Sequence, residues 1–231
     1  MNPTESLWLE YALDVLTRGG GAMNCCVSGQ TDRISRWPGY LGPDYASGRV
    51  LLVGAVHNEA DMDATPEVPA IGDGAVEWIN GHRSDSDYLA MLRVEYPRAI
   101  NFWCRNGGGV FRKFTEIRAA LGVSLGQCAI SNIAKCTAVR GSKKYCESIS
   151  ACPLRFPLTD LIALLDPVIA FIACNDTNAR IPGVGSTSTR RVYRFQQLNS
   201  LEYATKRRRE VWLREAADFY RTAIKRPRAA I

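Results

Sequence analysis

RVLLVG, residues 49–54, is a short apolar run that stops on a glycine. A run of that length without polar alternation suits a strand buried on both faces, and such strands belong to parallel sheets covered by helices. Working outward, QCAISN (127–132) and VIAFIAC (168–174) have the same character, and RVYRF (191–195) reads as a fourth strand. Helical spacing lies between and around them. Leu7, Leu9, Tyr11, Leu13, Val15 and Leu16 predict a helix over 5–18, stopped by Gly19-Gly20-Gly21. Further helices are expected over 86–94, over 110–121 with Gly122 as the stop, over LTDLIALL (158–165) before Pro167, briefly after Cys174, and over about 202–224. Residues 55–82 and 183–189 read as loops rich in Gly, Pro, Ser or Thr. Strands alternating with helices predict an α/β fold: a three-layer sandwich whose central, mostly parallel four-stranded sheet is flanked by helices. No internal repeat or low-complexity tract interrupts the pattern, so one domain over 1–231 is expected.

No stretch of about 18 apolar residues occurs, which argues against a membrane-spanning helix. The opening MNPTESLWLEYALDVL has acidic residues and no basic leader, so a cytoplasmic protein is expected, with its eight cysteines reduced or metal-bound, and a monomer is expected as well. The net charge is +6, unevenly spread. Glu59, Asp61, Asp63, Glu67, Asp73, Asp85 and Asp87 crowd the first half. Arg190, Arg191, Arg194, Lys206, Arg207, Arg208, Arg209, Arg214, Arg221, Lys225, Arg226 and Arg228 crowd the last quarter. That basic quarter suits a polyanion, although a basic helix can equally be a solvated face.

In a parallel sheet the working residues sit in loops beyond the carboxyl ends of the strands. The loop after Gly54 presents His57, Asn58, Glu59 and Asp61. SNIAKC (131–136) puts Asn132 at a strand end, where its amide carries both a donor and an acceptor. An Asn in that place can also simply cap the strand. FQQLNSLEYATKRRR (195–209) is a polar loop entering a basic helix, a pattern suited to a phosphate backbone.

These segments together resemble the uracil-DNA glycosylase superfamily, nearest to its iron–sulfur-containing branch. RVLLVG resembles the strand before that family's first catalytic loop. NFWCRNGGGVFRKFTEIRAALGV (101–123) resembles its base-stacking segment and following helix. SNIAKC resembles its Asn-x-x-Lys-Cys segment, and Cys152 with FPLTDLIALLDPVIAFIAC resembles its Cys, helix, Pro and strand. The resemblance implies a DNA glycosylase that flips a damaged or modified base out of the duplex and hydrolyses its glycosidic bond, leaving an abasic site. It implies a catalytic group among His57, Asn58, Glu59 and Asp61, and base contacts from Phe102, Asn132 and Asn199. It implies DNA contacts from Ser200, Leu201, Tyr203, Lys206, Arg207 and Arg208, with Leu201 or Tyr203 as the wedge. Phe102, an aromatic in an apolar run, is equally at home in a core. Lys135 reads as a structural or phosphate-contacting residue rather than a catalytic one.

The chain departs from the family twice. Ala55 and Val56 stand where the first loop usually has a carboxylate or amide. Leu198-Asn199-Ser200 replaces the His-Pro-Ser/Ala segment, and His57 and His82 are the chain's two histidines. An altered site behind a longer loop fits a bulkier substrate, such as a modified pyrimidine in foreign or phage DNA, and so a defence role. An inert DNA-binding module of the same fold and a small-molecule α/β hydrolase are the competing readings. Cys136 and Cys152 are spaced as the branch spaces its last two cluster ligands. With Cys25 and Cys26 they would hold a 4Fe–4S iron–sulfur cluster, with Cys104, Cys128, Cys146 or Cys174 as substitutes for one of the adjacent pair. Small buried hydrophobes are the other reading of these thiols.

Overall fold

The computed structural model describes residues 1–17, 38–55, 77–105, 109–133, 135, 152, 156–173, 184–195 and 206–225. Five strands form one sheet: β1 (Tyr40–Leu41), β2 (Val50–Gly54), β3 (Cys128–Asn132), β4 (Ile169–Ala173) and β5 (Arg191–Phe195). Their order across the sheet is β1-β3-β2-β4-β5. β1 is antiparallel to β3, and the remaining pairings are parallel. The architecture is thus the expected α/β one, with a fifth strand that the sequence reading lacked. β1 is two residues long and lies between Pro38-Gly39 and Gly42-Pro43, too short to show any period of its own.

The core strands are buried throughout, apart from Asn132 at the end of β3, and their side chains alternate between the two faces with the pleat. Val50, Leu52, Cys128, Ile130, Ile169, Phe171 and Ala173 face one apolar layer. Leu51, Val53, Ala129, Ala170 and Ile172 face the other. The first layer is closed by α4 (Gly109–Leu121) and α6 (Lys206–Ala223), through Phe111, Phe114, Ile117, Leu121, Ala216, Ala217, Tyr220 and Ala223. The second is closed by α1 (Pro3–Thr17) and α5 (Leu158–Leu165), through Trp8, Leu9, Ala12, Leu16, Leu158, Leu161, Ile162 and Leu165. A single turn, α2 (Tyr45–Gly48), leads into β2. Gly122, at φ +69°, ends α4 as expected of a residue without a Cβ.

α3 (Asp85–Arg105) is longer than the expected 86–94 and carries Pro97 inside it. A proline normally ends such a helix, because it lacks an N–H and its ring crowds the preceding turn. Here the helix serves both layers. Tyr88, Leu89 and Leu92 pack into the second layer, and Tyr96, Ala99 and Ile100 into the first. Tyr96 also stacks on Tyr40, ring centroids 4.6 Å apart. Burial on both sides of the proline offsets the roughly 3 kcal/mol it costs a helix interior.

The direction of α6 matters for the site. Trp212 meets Phe171 and Tyr193, midway along β4 and β5, edge-on at 5.7 and 4.8 Å. Tyr220 donates a buried 2.8 Å hydrogen bond to the carbonyl of Gly48, just before β2 begins. The helix therefore runs antiparallel to the strands. At 1.5 Å per residue its first turn lies about 9 Å beyond Trp212, level with the carboxyl ends of the strands.

Candidate active site

Consecutive crossovers leave β2 in opposite directions, first to β3 and then past β2 to β4. Such a switch opens a crevice at the carboxyl edge, where α/β sheets place their ligands. At that edge Gly54 and Asn132 are register partners. The amide N–H of Ile133 donates to the carbonyl of Gly54 at 2.9 Å, carrying the pairing one step past the strand. A Cβ at Gly54 would stand 2.5 Å from Asn132 Oδ1, with Val110 of α4 the next neighbour at 3.9 Å. The Asn132 amide thus lies over the glycine and occupies the space a larger residue would need. Asn132 is partly exposed, while Ser131 beside it is buried. A partly exposed amide at a switch point can read one edge of a planar ligand.

Lys135 is 2% exposed. Its ammonium turns back toward the strand end and donates to Ser131 Oγ and to the carbonyl oxygen of Asn132, both at 2.6 Å. It also lies 5.7 Å from the centre of the Tyr11 ring, on α1. Burial pulls its pKa down to about 8, an effect opposed by the nearby Cys152 sulfur. Lys135 is therefore not a phosphate contact, since its donors point inward. The Ser131 hydroxyl completes the chain of bonds by donating to the Pro38 carbonyl at 3.4 Å.

Cys152 is fully buried, and its Sγ accepts the backbone N–H of Lys135 at 3.1 Å. That contact brings one expected cluster ligand against the residue adjoining another, Cys136. The Tyr11 hydroxyl is buried there too, with no hydrogen-bond partner among the described residues, and burial raises its pKa. Among the described residues no group of three or more His, Cys, Asp or Glu side chains could hold a metal ion. Cys25, Cys26, Cys136, Cys104, Cys146 and Cys174 lie where no side chain is described. Cys128 is ruled out as a substitute ligand. It begins β3, about 13 Å from the Asn132 end. Its thiol donates to the Ser124 carbonyl and is pushed up to about 12 by burial.

Phe102 sits in the second half of α3, partly buried against the layer closed by α4 and α6. Its ring is anchored in the core, and only the remaining surface is open to a stacking partner. His57, Asn58, Glu59 and Asp61 lie outside the described residues, as do Asn199, Ser200, Leu201 and Tyr203. Lys206, Arg207 and Arg208 form the first turn of α6, with its backbone at the edge that carries Asn132. The sequence reading missed the close approach of Gly54 and the turning-in of Lys135. A glycine ending a buried strand is a signal for the first. Nothing in the spacing signalled the second.

No protein-family model matches the chain, and no curated protein matches it.

The Gly54–Asn132 contact makes a direct prediction. In Gly54→Ala the new Cβ meets the tip of a side chain rather than backbone, so the sheet should survive and the Asn132 amide should move. The expected result is a shifted Asn132 side-chain NH₂ resonance with a near-wild-type melting curve. Any activity that depends on this amide should fall on the order of 100-fold, as misplacement by about an ångström does. An unmoved resonance would show that the contact does not hold the amide.

Proposed function

We propose that the chain is a monofunctional DNA glycosylase that excises a damaged or modified base, working as a monomer in the cytoplasm. The observation that carries this reading is Asn132, a half-exposed amide held over Gly54 at the switch point of a parallel sheet. The first turn of α6 supports it from the same edge. Lys206 to Arg209 place four cations at the positive end of a helix dipole, with no acidic residue in that turn. Each such cation costs a helix roughly 0.3–1 kcal/mol, a cost that a bound polyanion reverses. No helix among the described residues is long and apolar enough to cross a membrane.

In this reading the flipped base enters the crevice, with Asn132 on its edge and Phe102 against its face. A water, oriented by Glu59, Asp61, Asn58 or His57 in the loop after β2, adds its oxygen to the sugar C1′. The C1′–N bond breaks, its electron pair leaves with the base, and the proton of the water follows. The inward-facing ammonium of Lys135 supports water rather than lysine as the nucleophile. Leu198-Asn199-Ser200, where the related family has its histidine, favours a substrate other than uracil. A modified pyrimidine in foreign or phage DNA fits that change, with Asn199 as a further base contact and Leu201 or Tyr203 as the wedge. The missing histidine also favours a second reading, an inert DNA-binding module of the same fold. A 4Fe–4S cluster held by Cys136, Cys152, Cys25 and Cys26 belongs to the proposal as a tie between the loop after β3 and the N-terminal segment. Anaerobically purified protein should then contain iron that Cys136→Ser loses.

Incubation with plain, uracil-containing and naturally modified duplexes, followed by alkali, should cut one modified substrate at the abasic site. Asn132→Ala should abolish that cutting while leaving DNA affinity within about threefold, because phosphate contacts carry most of the affinity. Binding without cutting on every substrate would favour the inert module. Replacing Lys206, Arg207 and Arg208 with Ala should weaken binding alike on all sequences. It should also flatten the log–log salt dependence by about one unit for each phosphate no longer neutralised. An unchanged slope would remove α6 from the interface.

A further inference from the structure

Three contacts converge on the Asn132–Ile133 peptide. Its N–H, on Ile133, donates to the Gly54 carbonyl at 2.9 Å. Its C=O, on Asn132, accepts from Lys135 Nζ at 2.6 Å. The side chain of the same asparagine lies against Gly54. Lys135 is held in turn at both ends, its ammonium by Ser131 Oγ at 2.6 Å and its backbone N–H by Cys152 Sγ at 3.1 Å. Taking an ammonium out of water is costly, and the cost is tolerated where the charge has good partners. Among the described residues the partners here are neutral oxygens, one aromatic face and a sulfur. A fold needing only to fill this space would do as well with a methionine.

We propose that Lys135 is the positioning residue of the base-reading site: its buried ammonium, gripping the carbonyl of Asn132 and the hydroxyl of Ser131, locks the peptide that aims the Asn132 amide at the base. This inference rests on the glycosylase reading for what the amide recognises, though not for the brace itself. Lys135 acts through Asn132 and touches no substrate. Without its donor, the part-buried Asn132 carbonyl loses this partner, and the peptide gains freedom to rotate away from the Gly54 carbonyl. The amide would then sample orientations in which it meets the wrong edge of a base. Transition-state alignment should suffer more than DNA affinity.

The test uses the full chain with Lys135→Met, which keeps the length and apolar stem of the side chain and removes its donors, alongside Lys135→Gln, which retains a donor. Amide hydrogen exchange at Ile133 is read first and needs no substrate. Exchange should quicken about tenfold or more in Lys135→Met and less in Lys135→Gln, while amides in the middle of β2 and β4 keep their rates. Single-turnover excision should fall at least about 30-fold in Lys135→Met, with the DNA Kd within about threefold and partial recovery in Lys135→Gln. Unchanged exchange at Ile133 in folded Lys135→Met overturns the brace. So does quickened exchange with excision undiminished, because the peptide would then not need locking. If Lys135→Met does not fold, Ser131→Ala decides: it should quicken Ile133 exchange without a matching fall in melting temperature, and unchanged exchange overturns the proposal. A wild-type protein that excises nothing removes the glycosylase reading, while the exchange data still judge the brace.

Discussion

The molecule depends on the burial of β2 from both sides. Val50, Leu51, Leu52 and Val53 have no solvent exposure, and β3 and β4 flank the strand. A strand so placed has both faces covered by helices and both edges paired, so its polar groups are satisfied only inside the sheet. The Arg49 side chain fastens its start to Asp166, at the turn leading into β4, through the carbonyl at 2.9 Å and through the carboxylate. Both residues adopt positive φ, 51° and 43°, as their tight turns demand. With its beginning anchored and its length packed, β2 ends at Gly54, on the carboxyl edge of the sheet where the strand order switches.

The site follows from the same arrangement. Gly54 and Asn132 meet because β2 and β3 are in parallel register and stop together. The absence of a Cβ at Gly54 lets the amide come close. Lys135 then closes the strand end from inside. Inward donors on this lysine and a run of cationic residues at a helix start are two placements of positive charge at one sheet edge. The first fixes a peptide, and the second, in the proposed function, awaits a phosphate backbone. The thiols divide similarly. Cys128 behaves as a small core residue, its proton held tightly by burial, whereas Cys152 receives an N–H beside an ammonium. One amino acid type thus has two electrostatic settings about one strand apart.

Much of the fold was legible along the chain because strands and helices here differ in period. RVLLVG, QCAISN and VIAFIAC are short apolar runs, and LTDLIALL is amphipathic over the very span that becomes α5, Leu158–Leu165. β1 escaped notice because two residues carry no period, and its existence depends on pairing with Ile130 and Ala129. The second half of α3 escaped because Pro97 is a local stop signal that only packing against both layers overrides.

By itself, the sequence determined the layer architecture, the order of elements and the place of Asn132 at a strand end, since each rests on local periodicity or on position after a strand. Tertiary structure alone decided which strands became neighbours, that Gly54 would face Asn132, and that Lys135 would turn inward instead of toward solvent. Those outcomes depend on groups far apart in the chain. Lys135 is flanked by apolar and small residues, yet its surroundings come from Tyr11 on α1 and from Cys152. The energy of a buried ammonium is set by such partners and by the exclusion of water, and neither is encoded in the residues on either side of it.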